Sequence, residues 1–359
     1  SKGWMWSPMD SCILGRTGLE VSIIGLGMEH VVQSPDEVAP VVHRAIESGV
    51  NYIDMIAWAE DGKDAFEAAM KGHRDDVVLA GHLGVAETDG QYRKSRDLKE
   101  CEDLWHDWLS RMNTDHLDVI FLSNVDKPED YAEDVGPGGA LELALRLRAE
   151  GKARFIGLSG HTPATAVRAV EDGHIDILMH DINLSTSGDP DKAQVGRACV
   201  SNGVGLVVMK AFAGGNLLRG ETQVSPSQCL SYALAQPGVS LALAGARNLE
   251  ELEADLAILD ASEEKRDFSP VIGAYNEDLA GTCVYCNHCM PCPSGIDIAA
   301  VLRLLTSAEG GITDSLRASY NALPARASDC IECDECTERC PFGVDVAPKM
   351  REAVETFGS

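Results

Sequence analysis

Between residues 20 and 260 a short apolar run followed by a helix-forming stretch recurs eight times. The runs are EVSIIGLG, NYIDM, DVVLAGHLG, LDVIFLSNV, ARFIGLSGH, IDILMHDIN, VGLVVMKAFAGG and VSLALAGAR. Strands covered on both faces read as continuous apolar runs of this kind. Stretches such as SPDEVAPVVHRAIESG, SRDLKECEDLWHDWLSRMN, TPATAVRAVEDG and NLEELEADLAILD open on Ser, Thr or Asn, and several end near Gly, the usual helix caps. Eight strand–helix units are the count that closes a (β/α)8 TIM barrel, and a 45% apolar composition can fill it. The alternative is an open doubly wound sheet. No GxGxxG follows the first run, which disfavours its dinucleotide-binding form. Gly15 to Gly18, in CILGRTGLEVS, read as a hairpin turn ahead of the first barrel strand.

After Asp260 the character changes. EEKRDFSP is charged, ends in Pro and reads as a linker. The expected division is an N-terminal extension over 1–11, the barrel over 12–262 and a small helical region over 263–359. That last region carries CVYCNHCMPCPSGIDI at 283–298 and a near repeat, CIECDECTERCPFGVDV, from 330. Three helical stretches accompany them: IDIAAVLRLLTSAEG, TDSLRASYNAL and VAPKMREAVETF.

Cys283, Cys286, Cys289 and Cys292 precede Pro293, and Cys330, Cys333, Cys336 and Cys340 precede Pro341. A C-x2-C-x2-C run sets three thiolates on one [4Fe–4S] cube, and the Cys before Pro ligates the other cluster in two-cluster ferredoxins. The expected sets are therefore Cys283, Cys286, Cys289 with Cys340, and Cys330, Cys333, Cys336 with Cys292. The first cassette has two residues before its last cysteine, where the second has three. Zinc is the alternative, but zinc sites pair CxxC knuckles across a longer loop. Cys12, Cys101, Cys199 and Cys229 are scattered and read as buried thiols. Two [4Fe–4S] clusters carry one electron each, so the tail is expected to move electrons to or from the barrel.

Acidic residues outnumber basic ones 57 to 30, a formal charge of -27. Such a surface repels nucleic acid and anionic lipid, while a basic redox protein partner fits it. No run of apolar residues is long enough for membrane insertion, and SKGWMWSPMD lacks the apolar stretch of a signal peptide, so a cytoplasmic location is expected.

LGRTGLEVSIIGLG, GVNYIDM, ARFIGLSGH and LAGARNLEELEADL resemble the aldo/keto reductase family over residues 12–260, and the paired cassettes resemble its branch with a C-terminal ferredoxin-like domain. The resemblance implies a site at the C-terminal mouth of the barrel and hydride transfer between NADP(H) and a carbonyl. The family uses an Asp, Tyr, Lys and His. Asp54 matches the Asp, Ala59 stands where the Tyr belongs with Trp58 beside it, His82 takes the place of the Lys and Ser123 that of the His. Ser159 resembles the residue that holds the nicotinamide amide, and Asn183 is retained. Gly160, Met179 and Ile182 replace an Asn, a Gln and a Tyr. Arg247 would meet a 2′-phosphate, yet Glu251 and Asp255 replace a Gln and an Asn near the adenine, and carboxylates repel phosphate.

Read directly, the strand ends offer Glu29 and His30, Asp54, His82, Ser123 and Asn124, His161, and Lys210. Barrel sites are built from these positions. His82 beside Asp54 is the expected acid–base pair, with Ser123 and His161 as further catalytic candidates. Three histidines and a carboxylate also allow a metal at the mouth. Lys210 suits a phosphate contact or the barrel rim. The expected function is an oxidoreductase that passes electrons between its clusters and a small-molecule substrate or cofactor at the mouth. The rival is a barrel without catalysis that serves as a relay or binding subunit in a redox complex.

Overall fold

The computed structural model describes residues 11–56, 59–88, 91–219, 224–273, 281–286 and 288–358. Its centre is a closed barrel of eight parallel strands: β1 Ile24–Gly27, β2 Tyr52–Asp54, β3 Val78–Leu83, β4 Leu117–Leu122, β5 Ala153–Ser159, β6 Ile177–Asp181, β7 Gly205–Met209 and β8 Val239–Ala244. Each strand pairs with its sequence neighbours, and β8 returns to β1 through Ala242 opposite Ile24. Alternate residues face inward. Tyr52, Val78, Ala80, Val119, Phe121, Ile177, Met179, Val207, Leu241 and Leu243 fill the interior as one cluster. The other strand faces pack against the surrounding helices in a second, larger cluster. Two residues beyond the last apolar layer, the same inward register brings Asp54, His82, Ser123, Ser159, Asp181 and Met209 to the C-terminal mouth.

The first barrel strand begins later than the apolar run implies. Glu20–Ser22 pairs antiparallel with Ser11–Ile13 as the expected hairpin, and only Ile24–Gly27 enters the barrel. This hairpin closes the lower end by inserting Leu14, Leu19 and Val21 beneath the interior layers. Its approach is close: Arg16 N–H donates to the Gly203 carbonyl at 2.7 Å. A Cβ on Gly15, whose φ is +53, would stand 2.2 Å from the Gly205 nitrogen, so only glycine fits that turn. A second hairpin, Val85–Thr88 with Gln91–Lys94, lies past β3 and was not read from the sequence. Its signal is the Asp-Gly pair at residues 89–90.

The stretch expected as a linker is packed instead. It forms two short helices, Glu263–Arg266 and Ser269–Ile272. Arg266 donates to the Ile258 and Leu259 carbonyls, each at 3.0 Å, and Phe268 meets the Tyr232 ring edge-on at 5.4 Å. The charged residues of EEKRDFSP thus decorate a segment whose Phe268 and Ile272 are buried.

The two cassettes repeat in backbone as well as in sequence. Tyr285 and Glu332, each directly before the second cysteine, are left-handed at φ 60 and 53, and Gly295 and Gly343, after each Cys-Pro, at φ 73 and 64. Asp297 and Asp345 then precede the helices Ile298–Ala308 and Val346–Phe357, which pack together. Ile298–Ala308 also packs on the barrel helix Pro190–Asn202, where Arg197 pairs with Glu309 at 3.3 Å. Among the described residues no helix is long and apolar enough to cross a membrane.

Phe121 leans over Gly157 of β5, where a Cβ would come 2.4 Å from its ring, and the same ring stacks on His82 at 5.2 Å. Gly157→Ala is expected to lower stability by about 1–3 kcal/mol through this overpacking. Urea unfolding checks it, and an unchanged midpoint would show that the Phe121 ring is free to move.

Candidate active site

Three side chains from adjacent strands form one hydrogen-bonded line at the mouth. His82 Nε2 lies 2.9 Å from Asp54 Oδ1, and His82 Nδ1 lies 2.6 Å from Ser123 Oγ. Strand-end backbone bonds hold them. Met55 N–H donates to the Ala80 carbonyl at 2.8 Å and Ser123 N–H to the Leu83 carbonyl at 3.1 Å. Arg96 grips the turn after β4 through the Ser123 and Asn124 carbonyls at 3.1 and 3.2 Å, and Asn124 takes a left-handed φ of 59. Behind it Asp134 pairs with Arg96 at 3.4 Å, and burial raises the Asp134 carboxyl to about 6.

With Asp54 ionised, His82 Nε2–H donates to it and Nδ1 accepts the Ser123 hydroxyl; this tautomer follows from the network. A protonated ring donates at both ends, so the line takes up one proton with no more than a turn of the Ser123 hydroxyl. The His82 side chain is 3% exposed and Asp54 13%, so the carboxylate is the end that meets the mouth. The water-poor surroundings strengthen each charge contact.

The remaining candidates stand outside this line. His161 is held by Asp126, which accepts its backbone N–H at 2.7 Å and lies 3.0 Å from its Nδ1. The alternative of a metal at the mouth gains no support: both ring nitrogens of His82 are already bound, and among the described residues no three His, Cys, Asp or Glu draw together around a single ion. Lys210 lies just past β7 rather than within it, exposed, with φ 55. Asn183 spends its amide on the chain itself, donating to the Lys210 carbonyl at 3.1 Å and accepting from Ser185 N–H at 3.1 Å and Ser185 Oγ at 2.5 Å. Ser159 Oγ lies 3.9 Å from Met209 Sδ. Arg247 is wrapped by Glu251, which accepts its backbone N–H at 2.8 Å and its Nε at 2.9 Å. Asp255 is buried on the helix Leu249–Leu256. Trp58 lies outside the described residues, and Ala59 begins the turn into the helix Glu60–Met70.

One group was missed in the sequence. Lys192, on the helix after β6, donates to Asp181 Oδ1 at 2.8 Å, to the His161 carbonyl at 3.1 Å and to His180 Nε2 at 3.0 Å. His180 Nδ1–H donates to the Gly160 carbonyl at 2.7 Å, and burial with the Lys192 charge pushes the imidazole down to about 4, so it is neutral. Its one trace in the sequence is the HD pair that ends the apolar run ILM, which does not point to Lys192.

In the tail, Cys292, Cys330, Cys333 and Cys336 line one cavity together with Ile296, Ile298, Val346 and Met350. Cys292 belongs to the first cassette and the other three thiols to the second. The remaining thiols of the cassettes are Cys283, Cys286, Cys289 and Cys340. Burial pushes Cys283 up to about 12 and Cys286 to about 11, and Cys340 adds to both. Burial also raises Cys289, with Cys283 and Cys286 contributing. The backbone N–H groups of Tyr285 and His288 donate to the Cys283 and Cys286 sulfurs. Arg339 joins the cassettes by donating to the Cys289 and Pro291 carbonyls at 3.0 and 2.7 Å. All twelve thiols are free of disulfides.

The family model described as the aldo/keto reductase family matches residues 23–228. An uncharacterized oxidoreductase, YqkF of Bacillus subtilis, is 22% identical over 284 residues, 69% of this chain and 90% of that protein. The D-threo-aldose 1-dehydrogenase of a Pseudomonas species is 24% identical over 234 residues, 57% of this chain and 70% of its own. Among solved structures, the aldo-keto reductase AKR11C1 from Bacillus halodurans, in its holo form, superposes with a TM-score of 0.61 at 22% identity, covering 74% of this chain and 96% of its own.

Burial, and secondarily Glu251, raises Asp255 to about 8, above its unfolded range near 3.9. The folded state therefore holds more protons between those values, and stability falls as pH climbs through that window. Asp255→Asn is expected to be more stable than the parent by on the order of 3 kcal/mol at pH 8, with the gap closing toward pH 4. Urea unfolding across that range reads it, and parallel curves would contradict it.

Proposed function

The chain belongs to the aldo/keto reductase family, and on that premise we propose an iron–sulfur oxidoreductase of that type, acting on a small-molecule substrate at the barrel mouth. In this reading the chain is of the branch with a C-terminal ferredoxin-like domain. The observation that carries it is the sorting of the thiols: Cys292 lines a cavity with Cys330, Cys333 and Cys336 of the other cassette. Such a grouping is what an exchange of Cys-Pro cysteines, as in two-cluster ferredoxins, would give. Cys283, Cys286, Cys289 and Cys340 would hold the first [4Fe–4S] cluster, and the cavity-lining four the second. The clusters would supply electrons one at a time.

The protein's own contribution at the mouth is a proton. A carbonyl reduced to an alcohol by two cluster electrons would take up two protons, one at carbon and one at oxygen; water would bring the first, and the His82 imidazole, suited to proton transfer near neutral pH, would pass the second through Asp54, the end of the line that meets the mouth. Asp54 orients the His82 ring, and Ser123 holds its far nitrogen. The residues assigned by resemblance to NADP(H) fit that nucleotide poorly. The Asn183 amide is spent on its own loop, Arg247 is neutralised by Glu251 and Asp255 adds a buried carboxyl, so no step runs through it. The acidic surface suits a basic redox protein as electron partner, and a cytoplasmic setting keeps such thiols reduced. A barrel reduced to a relay subunit would place no demand on His82, yet both its ring nitrogens are bound.

Anaerobically purified protein is expected to hold about eight iron atoms per chain, and Cys292→Ser to lose about half. His82→Ala should keep its iron while the oxidation of reduced clusters by carbonyl substrates slows at least ~100-fold. Iron-free protein with zinc on these thiols would end the redox reading, and parental rates in the variant would remove His82 from it.

A further inference from the structure

A cleft of about 440 Å³ runs along the seam between the barrel and the cysteine-bearing tail, within the size range of small-molecule sites. The Tyr232 ring from the barrel helix Pro226–Ala235 and the Tyr285 ring from the first cassette line it, and Cys283 lies on the same wall as Tyr285. The cations on its walls are already matched. Lys192 is bound to Asp181 at 2.8 Å, Arg197 to Glu309 at 3.3 Å and Lys349 to Glu352 at 2.9 Å. An anionic ligand would have to displace one of these carboxylates, against a chain charge of -27. Tyr285 Oη donates to Thr306 Oγ1 at 3.1 Å, which fixes that ring in place. Aromatic side chains with apolar neighbours favour a flat, uncharged ring.

We propose that this cleft binds a flat, uncharged ring of the quinone type against Tyr232 and Tyr285, with Cys283 at its edge. A quinone plus two electrons and two protons gives a hydroquinone. Two clusters together carry two electrons, and water entering the open face of the cleft brings the protons. The electron exchange rests on the iron–sulfur reading above, whereas the binding does not.

Menadione tests it on full-length protein prepared without oxygen, by equilibrium dialysis alongside iron content and the visible absorption of the clusters. Saturable binding is expected. Ala193→Trp, which fills the cleft from the barrel helix, should weaken it at least tenfold with the same iron content and the same thermal unfolding. Thr282→Trp, filling from the opposite wall, should do likewise. The anionic bisulfite adduct of menadione should bind at least tenfold more weakly than menadione. Absence of saturable binding, parental affinity in both folded variants, or tighter binding of the anion would each overturn the proposal. Iron-free protein that still binds menadione would sink the clusters and leave the cleft standing.

Discussion

Closure of the barrel governs everything else. Eight strands covered on both faces exclude a charged side chain from the interior until the strands reach their C-terminal ends, because an uncompensated charge there costs several kcal/mol; the one hydroxyl in the interior cluster is that of Tyr52. The inward positions at those ends are therefore where Asp54, His82 and Ser123 can stand side by side on β2, β3 and β4. Their contact is a product of register: Asp54 lies opposite Ala80 and His82 opposite Phe121, so His82 and Ser123 each stand one inward position beyond the neighbour's partner and the three meet along a diagonal. Gly157 serves the same end by leaving space for the Phe121 ring beneath His82.

Much of this was legible in the sequence, and the reasons for success and failure are specific. Apolar runs buried on both faces announce strands without ambiguity, and all eight are found. Asp54, His82 and Ser123 could be singled out because each ends such a run. The Lys192 group could not, because a lysine three residues into a helix looks like any solvated charge; only the fold shows that Asp181 and His180 wait above it. The boundary of β1 was misjudged because EVS and IIGLG form one apolar run, although Ile23 separates a hairpin strand from a barrel strand. EEKRDFSP misled for the opposite reason. Its charges mask Phe268 and Ile272, which do the packing. Arg247 and Asn183 show a further limit: residue type can match a ligand-binding role while the side chain is engaged with its own neighbours.

The tail solves a different problem with a repeated unit. Each cassette is too rich in Cys, Pro and Gly to make a core, so each is followed by one amphipathic helix, and the two helices cover one another. The left-handed residues Tyr285 and Glu332 turn the chain back at the same point in both copies. Such symmetry lets the last cysteine of one copy reach the first three of the other, as Cys292 does.

The tail rests on barrel helices, Pro190–Asn202 and the Arg303 contact to the Ala235 carbonyl, that all precede it in the chain. Domains made first on the ribosome fold first. The barrel therefore stands finished as a wall before either cassette emerges, and the cysteines arrive beside a rigid neighbour. Folding of the cysteine-rich tail becomes a late, separable event, docked on a scaffold whose shape is already settled.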